Sequence, residues 1–213
     1  MNNEFISKVF KFFGAGLLVT FLTAYAASTS EALLRIVYSS STMWIIIIIE
    51  FVLAIMLSYR LDKISTTTAS LLYFGYTITT GLTFASIFLV YQISSIIYIF
   101  LATAIIFFLF SYLGRILKLD LSKLSIYIFI ALLSIIILSI VNIFLMNNTL
   151  DLALCAISII IFVIYVAYDV QKIIRLSEYT SSDNYAIMGA FQLYLDFINI
   201  FINLLRIFGK DRD

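Results

Sequence analysis

The stretch YAIMGAFQLYLDFINIFINLLRIF, Tyr185–Phe208, is the one whose reading decides the fold. At about 1.5 Å per residue it is long enough to cross a hydrocarbon core of about 30 Å. Near its centre lies a carboxylate, Asp196, eleven residues from Tyr185 and so ~17 Å deep. Holding a charge there costs roughly a few kcal/mol or more unless the group has a partner, a water-filled cavity or a job. The polar residues Gln192, Asp196, Asn199, Asn203 and Arg206 are separated by 4, 3, 4 and 3 positions. All five therefore share one helical face, which Gly189 extends. Such a helix is expected to turn that stripe inward and to show Leu, Ile and Phe to lipid. Interhelical hydrogen bonding by the amides accounts for Asn199 and Asn203. It does not account for Asp196, since an amide does the same work without an ionisable proton.

The remainder of the chain has the same character. Of 213 residues, 63% are hydrophobic and 12% charged, with a mean hydropathy of +1.13. An ordinary soluble domain is about half apolar and about a quarter charged. This is the composition of a polytopic membrane protein. With no histidine, the usual imidazole base, proton relay and zinc ligand are absent. The single Cys155 lies in an apolar run, which excludes an intramolecular disulfide and a cysteine metal cluster and leaves it as a small packing residue. A net charge of +1 carries no nucleic-acid signal. Gly75 and Gly81 stand among threonines rather than in a nucleotide-binding loop, and close helix packing explains them. Thr77, Thr79, Thr80 and Thr83 either line a polar path or bond within their own helix.

The hydropathy pattern predicts an all-α membrane protein, a single polytopic domain over residues 1–213 with seven helices at about 8–27, 43–59, 66–90, 95–113, 124–146, 150–170 and 185–208. The longer connections are Ser28–Thr42, Gly114–Lys123 and Gln171–Asn184. Lys8, Lys11 and the following Ala24-Tyr25-Ala26 have the form of a signal peptide, read here as an uncleaved first helix. Nine basic residues, Lys8, Lys11, Arg60, Lys63, Arg115, Lys118, Lys123, Lys172 and Arg175, fall at the N-terminus and in alternate loops. Four, Arg35, Arg206, Lys210 and Arg212, fall on the other side. The excess predicts a cytoplasmic N-terminus and a C-terminus outside, with the basic tail the one dissenting feature. Richness in Ile, Phe, Tyr and Asn suggests a bacterial source and hence the plasma membrane.

Candidate partners for Asp196 are few. Asp169 stands at the expected end of the sixth helix, with Tyr165 one turn before it, and Arg60 ends the second helix, which also contains Glu50. Arg60 and Asp169 are expected at similar depth, so an ion pair between them is geometrically feasible. Alternatively Arg60 snorkels to the headgroups with Lys63, and Asp169 caps its helix beside Lys172. If Asp169 and Asp196 approach each other, two poorly solvated carboxylates cannot both ionise cheaply and titrate as a unit. Without histidine, such a pair is the available route to a pH response near neutrality. It also suits hard cations, calcium above all.

Tyr194-Leu195-Asp196-Phe197-Ile198-Asn199-Ile200-Phe201-Ile202-Asn203-Leu204-Leu205-Arg206 resembles the signature last helix of the Bax inhibitor-1 family. Tyr168-Asp169-Val170-Gln171 resembles its motif closing helix six. Ala102-Thr103-Ala104, Asp120-Leu121-Ser122-Lys123-Leu124 and Val141-Asn142-Ile143-Phe144 fit in the right order. The first sixty-odd residues match mainly through Glu50 and Arg60. The resemblance implies a seven-helix fold with the last helix central, surrounded by the other six. It further implies a pH-sensitive calcium leak channel of the bacterial type. Asp169 and Asp196 then form the pH-sensing dyad and touch calcium transiently, while Glu50 and Arg60 latch or line the pathway. Calcium is the transported ion, and no cofactor is implied. The short tail lacks the polybasic segment of some eukaryotic members.

A second function class is an interaction protein that modulates another membrane protein, such as a protease, without transport. A retinal-type receptor requires a lysine inside the last helix, and none occurs there before Lys210. An intramembrane aspartyl hydrolase would also use two aspartates, but nothing beyond the pair resembles its motifs. The protein is therefore read as a non-enzyme, with calcium ions, the lipid bilayer and a membrane protein partner as its candidate contacts.

Overall fold

The computed structural model describes residues 2–59, 63–117 and 119–212. Nearly all of them are helical, in the order α1 (Asn3–Ser28), α2 (Glu31–Val37), α3 (Ser40–Tyr59), α4 (Thr66–Thr83), α5 (Ile87–Val90), α6 (Ile93–Ile116), α7 (Ser125–Leu145), α8 (Asn148–Tyr179) and α9 (Asp183–Phe208). Among the described residues there is no strand, only an isolated bridge between Tyr91 and Asp211. Seven segments are long and apolar enough to span a membrane: Asn3–Ser28, Ser40–Tyr59, Thr66–Val90, Ile93–Ile116, Leu121–Leu145, Asn148–Tyr179 and Asp183–Phe208. These coincide with the predicted spans to within a few residues, except at the end of the sixth. Helices suit these long apolar runs because lipid offers no partner for an unpaired backbone N–H or C=O and a helix satisfies both within its own segment.

Three departures from the sequence reading have local causes. The Ser28–Thr42 connection contains α2, whose start is capped by the Ser30 hydroxyl accepting from Leu33 N at 3.4 Å. Its Glu31–Arg35 ion pair of 2.6 Å adds an i,i+4 contact. The third span is not one continuous α-helix, since a 3-10 turn at Phe84–Ser86 separates α4 from α5. No proline is needed for this break. Thr83 and Ser86 hydroxyls donate back to Thr80 O and Thr83 O at 2.8 and 3.2 Å, and Tyr38 Oη accepts from Ser86 N at 2.6 Å while donating to Thr83 O at 2.9 Å.

The largest correction concerns the predicted Gln171–Asn184 loop. α8 continues through that segment to Tyr179, leaving only residues 180–182 to connect it to α9. The charges Lys172, Arg175 and Glu178 end the apolar run without ending the helix. No glycine or proline interrupts it, and Ile173 and Ser177 stay buried on its inner side. Asp169 is accordingly inside α8, and the reading in which it caps a helix end is overturned.

The described residues group into two compact units. One comprises the residues up to Ile93 with Ser177–Tyr194 and the tail from Asp211; the other comprises Ser94–Leu176 with Leu195–Lys210. In the first, α1 and α4 pack so closely that a Cβ at Gly81 would lie 2.6 Å from Thr23 Cβ and 2.8 Å from Thr20 O. Gly75 has no such neighbour, only ordinary contact with Leu53 at 3.8 Å. Thr20 Oγ1 donates to Thr77 O at 2.9 Å and lies 2.7 Å from Tyr194 Oη. A hydroxyl has one proton, so Tyr194 is the donor in the second contact.

In the second unit, α6 meets α8 where a Cβ at Gly114 would lie 2.5 Å from Ala167 O. Phe197 of α9 packs edge-on against Phe107 of α6, centroids 5.6 Å apart. The α7–α8 turn places Met146 in the left-handed region at φ 50°. That costs roughly 1–2 kcal/mol. Asn142, from the Val141–Phe144 motif, offsets it by bonding Asn147 N and O, each at 3.2 Å.

Candidate functional site

α9 buries 61% of its apolar window, the largest share of the seven spans. Leu193, Tyr194, Phe197, Ile200, Phe201, Leu204 and Leu205 are all buried. This corrects the expectation that its Leu, Ile and Phe would face lipid. Between lipid tails and a protein interior there is little hydrophobic difference, so van der Waals packing against aromatic neighbours decides where they go. Along the polar stripe Gln192, Asn199 and Asn203 are half-buried and Arg206 is exposed, whereas Asp196 is only 4% exposed.

The structure brings Asp196 to Asp169 of α8, itself 6% exposed. The two carboxyls are near enough to act on each other electrostatically. Among the described residues neither takes part in an ion pair. Asp196 Oδ2 is buried with no hydrogen-bond partner among the described residues. Tyr165, one turn before Asp169, is close enough to interact electrostatically with both carboxyls, and among the described residues Lys172, one turn after, is a cation acting on Asp169. Gly114 admits the α6 backbone to α8 at Ala167, two residues before Asp169, and Phe197, next to Asp196 in the chain, packs against Phe107 of α6.

The other predicted site residues are dispersed. Glu50 is half-buried on α3, facing the Thr80 and Thr83 hydroxyls of α4, with Oε1 buried and unpartnered at hydrogen-bond geometry. Arg60 lies outside the described residues. Asn199 and Asn203 each donate their amide N–H to their own helix, to Leu195 O and Asn199 O at 2.7 Å. They therefore do not supply the interhelical bonds expected of them from that nitrogen, and each leaves its amide oxygen as the acceptor on the stripe. Arg206 pairs with Asp151 at the start of α8. Arg212 donates through its backbone to Val90 O at 2.7 Å and through Nη1 to Phe88 O at 3.1 Å. The basic tail that dissented from the charge count is thus internally bonded. Among the described residues no cluster of three or more His, Cys, Asp and Glu could hold a metal ion.

One residue not singled out by itself is Gln171. Its Oε1 accepts from Leu121 N at 3.2 Å, and its Nε2 donates to Leu117 O and Leu119 O at 3.3 and 3.0 Å. It ties the α6–α7 connection to α8, two residues from Asp169. The available signal was an amide just past an aspartate in the Tyr168–Gln171 motif.

Fold and site together define a seven-span integral membrane protein with a carboxyl pair buried inside its spans. The chain belongs to the Bax inhibitor-1 family: the family described as Inhibitor of apoptosis-promoting Bax1 matches residues 2–213. It is 37% identical over 215 residues to the inner membrane protein YbhL of Escherichia coli K12, covering 98% of this chain and 92% of that relative. An uncharacterized protein of Borreliella burgdorferi is 36% identical over 219 residues, covering 100% and 94%. One of Deinococcus radiodurans is 32% identical over 213 residues, covering 98% and 91%.

Proposed function

We propose that this protein is a passive calcium leak pathway of the bacterial plasma membrane, with its N-terminus cytoplasmic, whose conductance responds to protonation of the Asp169–Asp196 pair. What supports this reading is the proximity of two buried carboxyls, one with an oxygen that has no hydrogen-bond partner among the described residues. With a shared proton the pair holds α8 and α9 together. Without it, two unit charges about 4 Å apart repel by roughly 4 kcal/mol at an effective dielectric of about 20. That repulsion is relieved by separation or by a divalent cation. Calcium, a hard ion taking oxygen ligands, suits two carboxylates and the amide oxygens of Asn199 and Asn203 on the same stripe. Glu50, whose Oε1 is buried, is a separate proposed pathway group.

The test is calcium efflux from liposomes containing the purified protein, measured across pH for wild type, Asp169→Asn and Asp196→Asn. Wild-type flux is expected to change with pH, and both variants to lose that change. Flux insensitive to pH and to Asp196→Asn overturns the gating. No flux at all overturns the leak and favours a protein that acts only by binding a membrane partner.

A further inference from the structure

A second site lies at the end of α6, and the carboxyl pair does not use it. There a hollow of ≈ 230 Å³ is lined by, among others, Arg115, Leu117, Leu119, Asp120, Gln171 and Arg175. All belong to one compact unit.

Its charge is unbalanced. Among the described lining residues two guanidinium groups accompany one carboxylate, a surplus of one positive charge (2 − 1). Arg175 donates through Nη1 to Asp120 Oδ1 at 2.8 Å, which spends one of its five N–H donors and fixes its position at the rim. Asp120 is in turn held by Ser122 N and Ser122 Oγ at 3.1 and 2.6 Å. Arg115 is exposed and makes no hydrogen bond or ion pair among the described residues. A guanidinium fork with free donors suits the oxygens of a phosphate.

The hollow is also preformed and correctly placed. Gln171 binds the connecting segment at Leu117, Leu119 and Leu121, so the wall facing Arg175 is held rather than loose. Arg115 is the penultimate residue of α6, and Asp120 immediately precedes the span Leu121–Leu145. Both therefore lie at the membrane boundary, where phosphates of lipid headgroups reside. Leu119 beside them is 68% exposed, an apolar surface next to a cationic one. Basic pockets at such a level collect anionic headgroups.

We infer that this hollow binds a phosphate-bearing anion at the membrane surface, held between Arg115 and Arg175. The phosphate belongs either to an anionic phospholipid or to a soluble molecule. The inference is independent of calcium transport.

Native mass spectrometry of the full-length protein in detergent, with added phosphatidylglycerol, phosphatidylcholine or inorganic phosphate, tests it. Phosphatidylglycerol is expected to be retained over phosphatidylcholine, and Arg115→Gln and Arg175→Gln each to lower that retention about fivefold. Arg115→Lys, which keeps the charge and loses the fork, should fall between, and the exposed Lys123→Gln should match wild type. Inorganic phosphate bound with the same arginine dependence, in place of phosphatidylglycerol, assigns the site to a soluble phosphate. Equal retention of both lipids without phosphate binding, or retention unchanged in the Arg115→Gln/Arg175→Gln double variant, overturns the proposal. Arg115 has no ion-pair or hydrogen-bond partner among the described residues, so Arg115→Gln is expected to unfold at the wild-type temperature, which separates lost binding from lost fold.

Discussion

Asp169 of α8 and Asp196 of α9, 27 positions apart in the sequence, lie near enough for their buried carboxyls to act on each other. Neither has an ion-pair partner among the described residues. The mutational consequences follow from what each replacement can donate.

Asp169→Asn keeps a donor, because its amide N–H can bond the Asp196 carboxylate, and the thermal unfolding temperature in detergent should move little. Asp169→Leu leaves a buried carboxyl alone and should destabilise by about 1–3 kcal/mol. Adding Asp196→Leu should recover part of that loss, because both polar partners are then gone. Equal destabilisation by Asn and Leu at position 169 would show that the contact contributes nothing.

Gly114→Ala should destabilise by about 1–3 kcal/mol. Its Cβ would stand 2.5 Å from Ala167 O and 2.8 Å from Ala167 Cα, backbone atoms that cannot rotate away. Gly14→Ala is the control: nothing lies within 4 Å of its Cβ position, so relief of the helix-interior penalty should leave stability unchanged or raised by up to about 1 kcal/mol. Thermal unfolding of the two variants, compared side by side, decides between them.

Gln171→Leu removes the bonds to Leu117, Leu119 and Leu121 while keeping side-chain bulk. Leu121 is buried, so its orphaned N–H should cost about 1–3 kcal/mol. Hydrogen exchange should rise in residues 119–124 before it rises in the spans. If exchange there is unchanged, the amide is not the tie.

Asp120 lies outside the spans. Its carboxyl is held down at about 2, below its ordinary 3.8, by the Ser122 hydroxyl first, then by Arg175 and the Ser122 amide. A depressed value means that the folded state favours the ionised form. The contribution is complete above the ordinary value and disappears as pH falls from there toward about 2. The Ser122 amide resonance should titrate with a midpoint near 2 in the wild type and move toward 3.8 in Arg175→Gln. A wild-type midpoint at the ordinary value would sink the assignment.

The spans were legible because their signal is local. A run such as Ile93–Ile116 must be helical in lipid whatever surrounds it, and the 4, 3, 4, 3 spacing placed Asp196 on one face from the chain alone. The end of α8 was misread because Lys172, Arg175 and Glu178 mark where the apolar run stops, and hydropathy does not report whether hydrogen bonding continues past it. The facing of α9 was misread for a related reason. Periodicity separates polar from apolar sides, but in a membrane an apolar side is equally at home against lipid or against Phe107.

By itself, then, the chain determined that there are seven crossings and that Asp196 is a costly exception within the last one. Both follow from the absence of water in the bilayer core. Only the tertiary structure decided that Asp196 lies near Asp169, that Gln171 binds the α6–α7 connection and that Arg115 and Arg175 share a hollow. These are contacts between helices, set by close approaches such as Gly114 against Ala167. Packing at that distance depends on the shapes of both surfaces at once, which no single stretch of sequence contains.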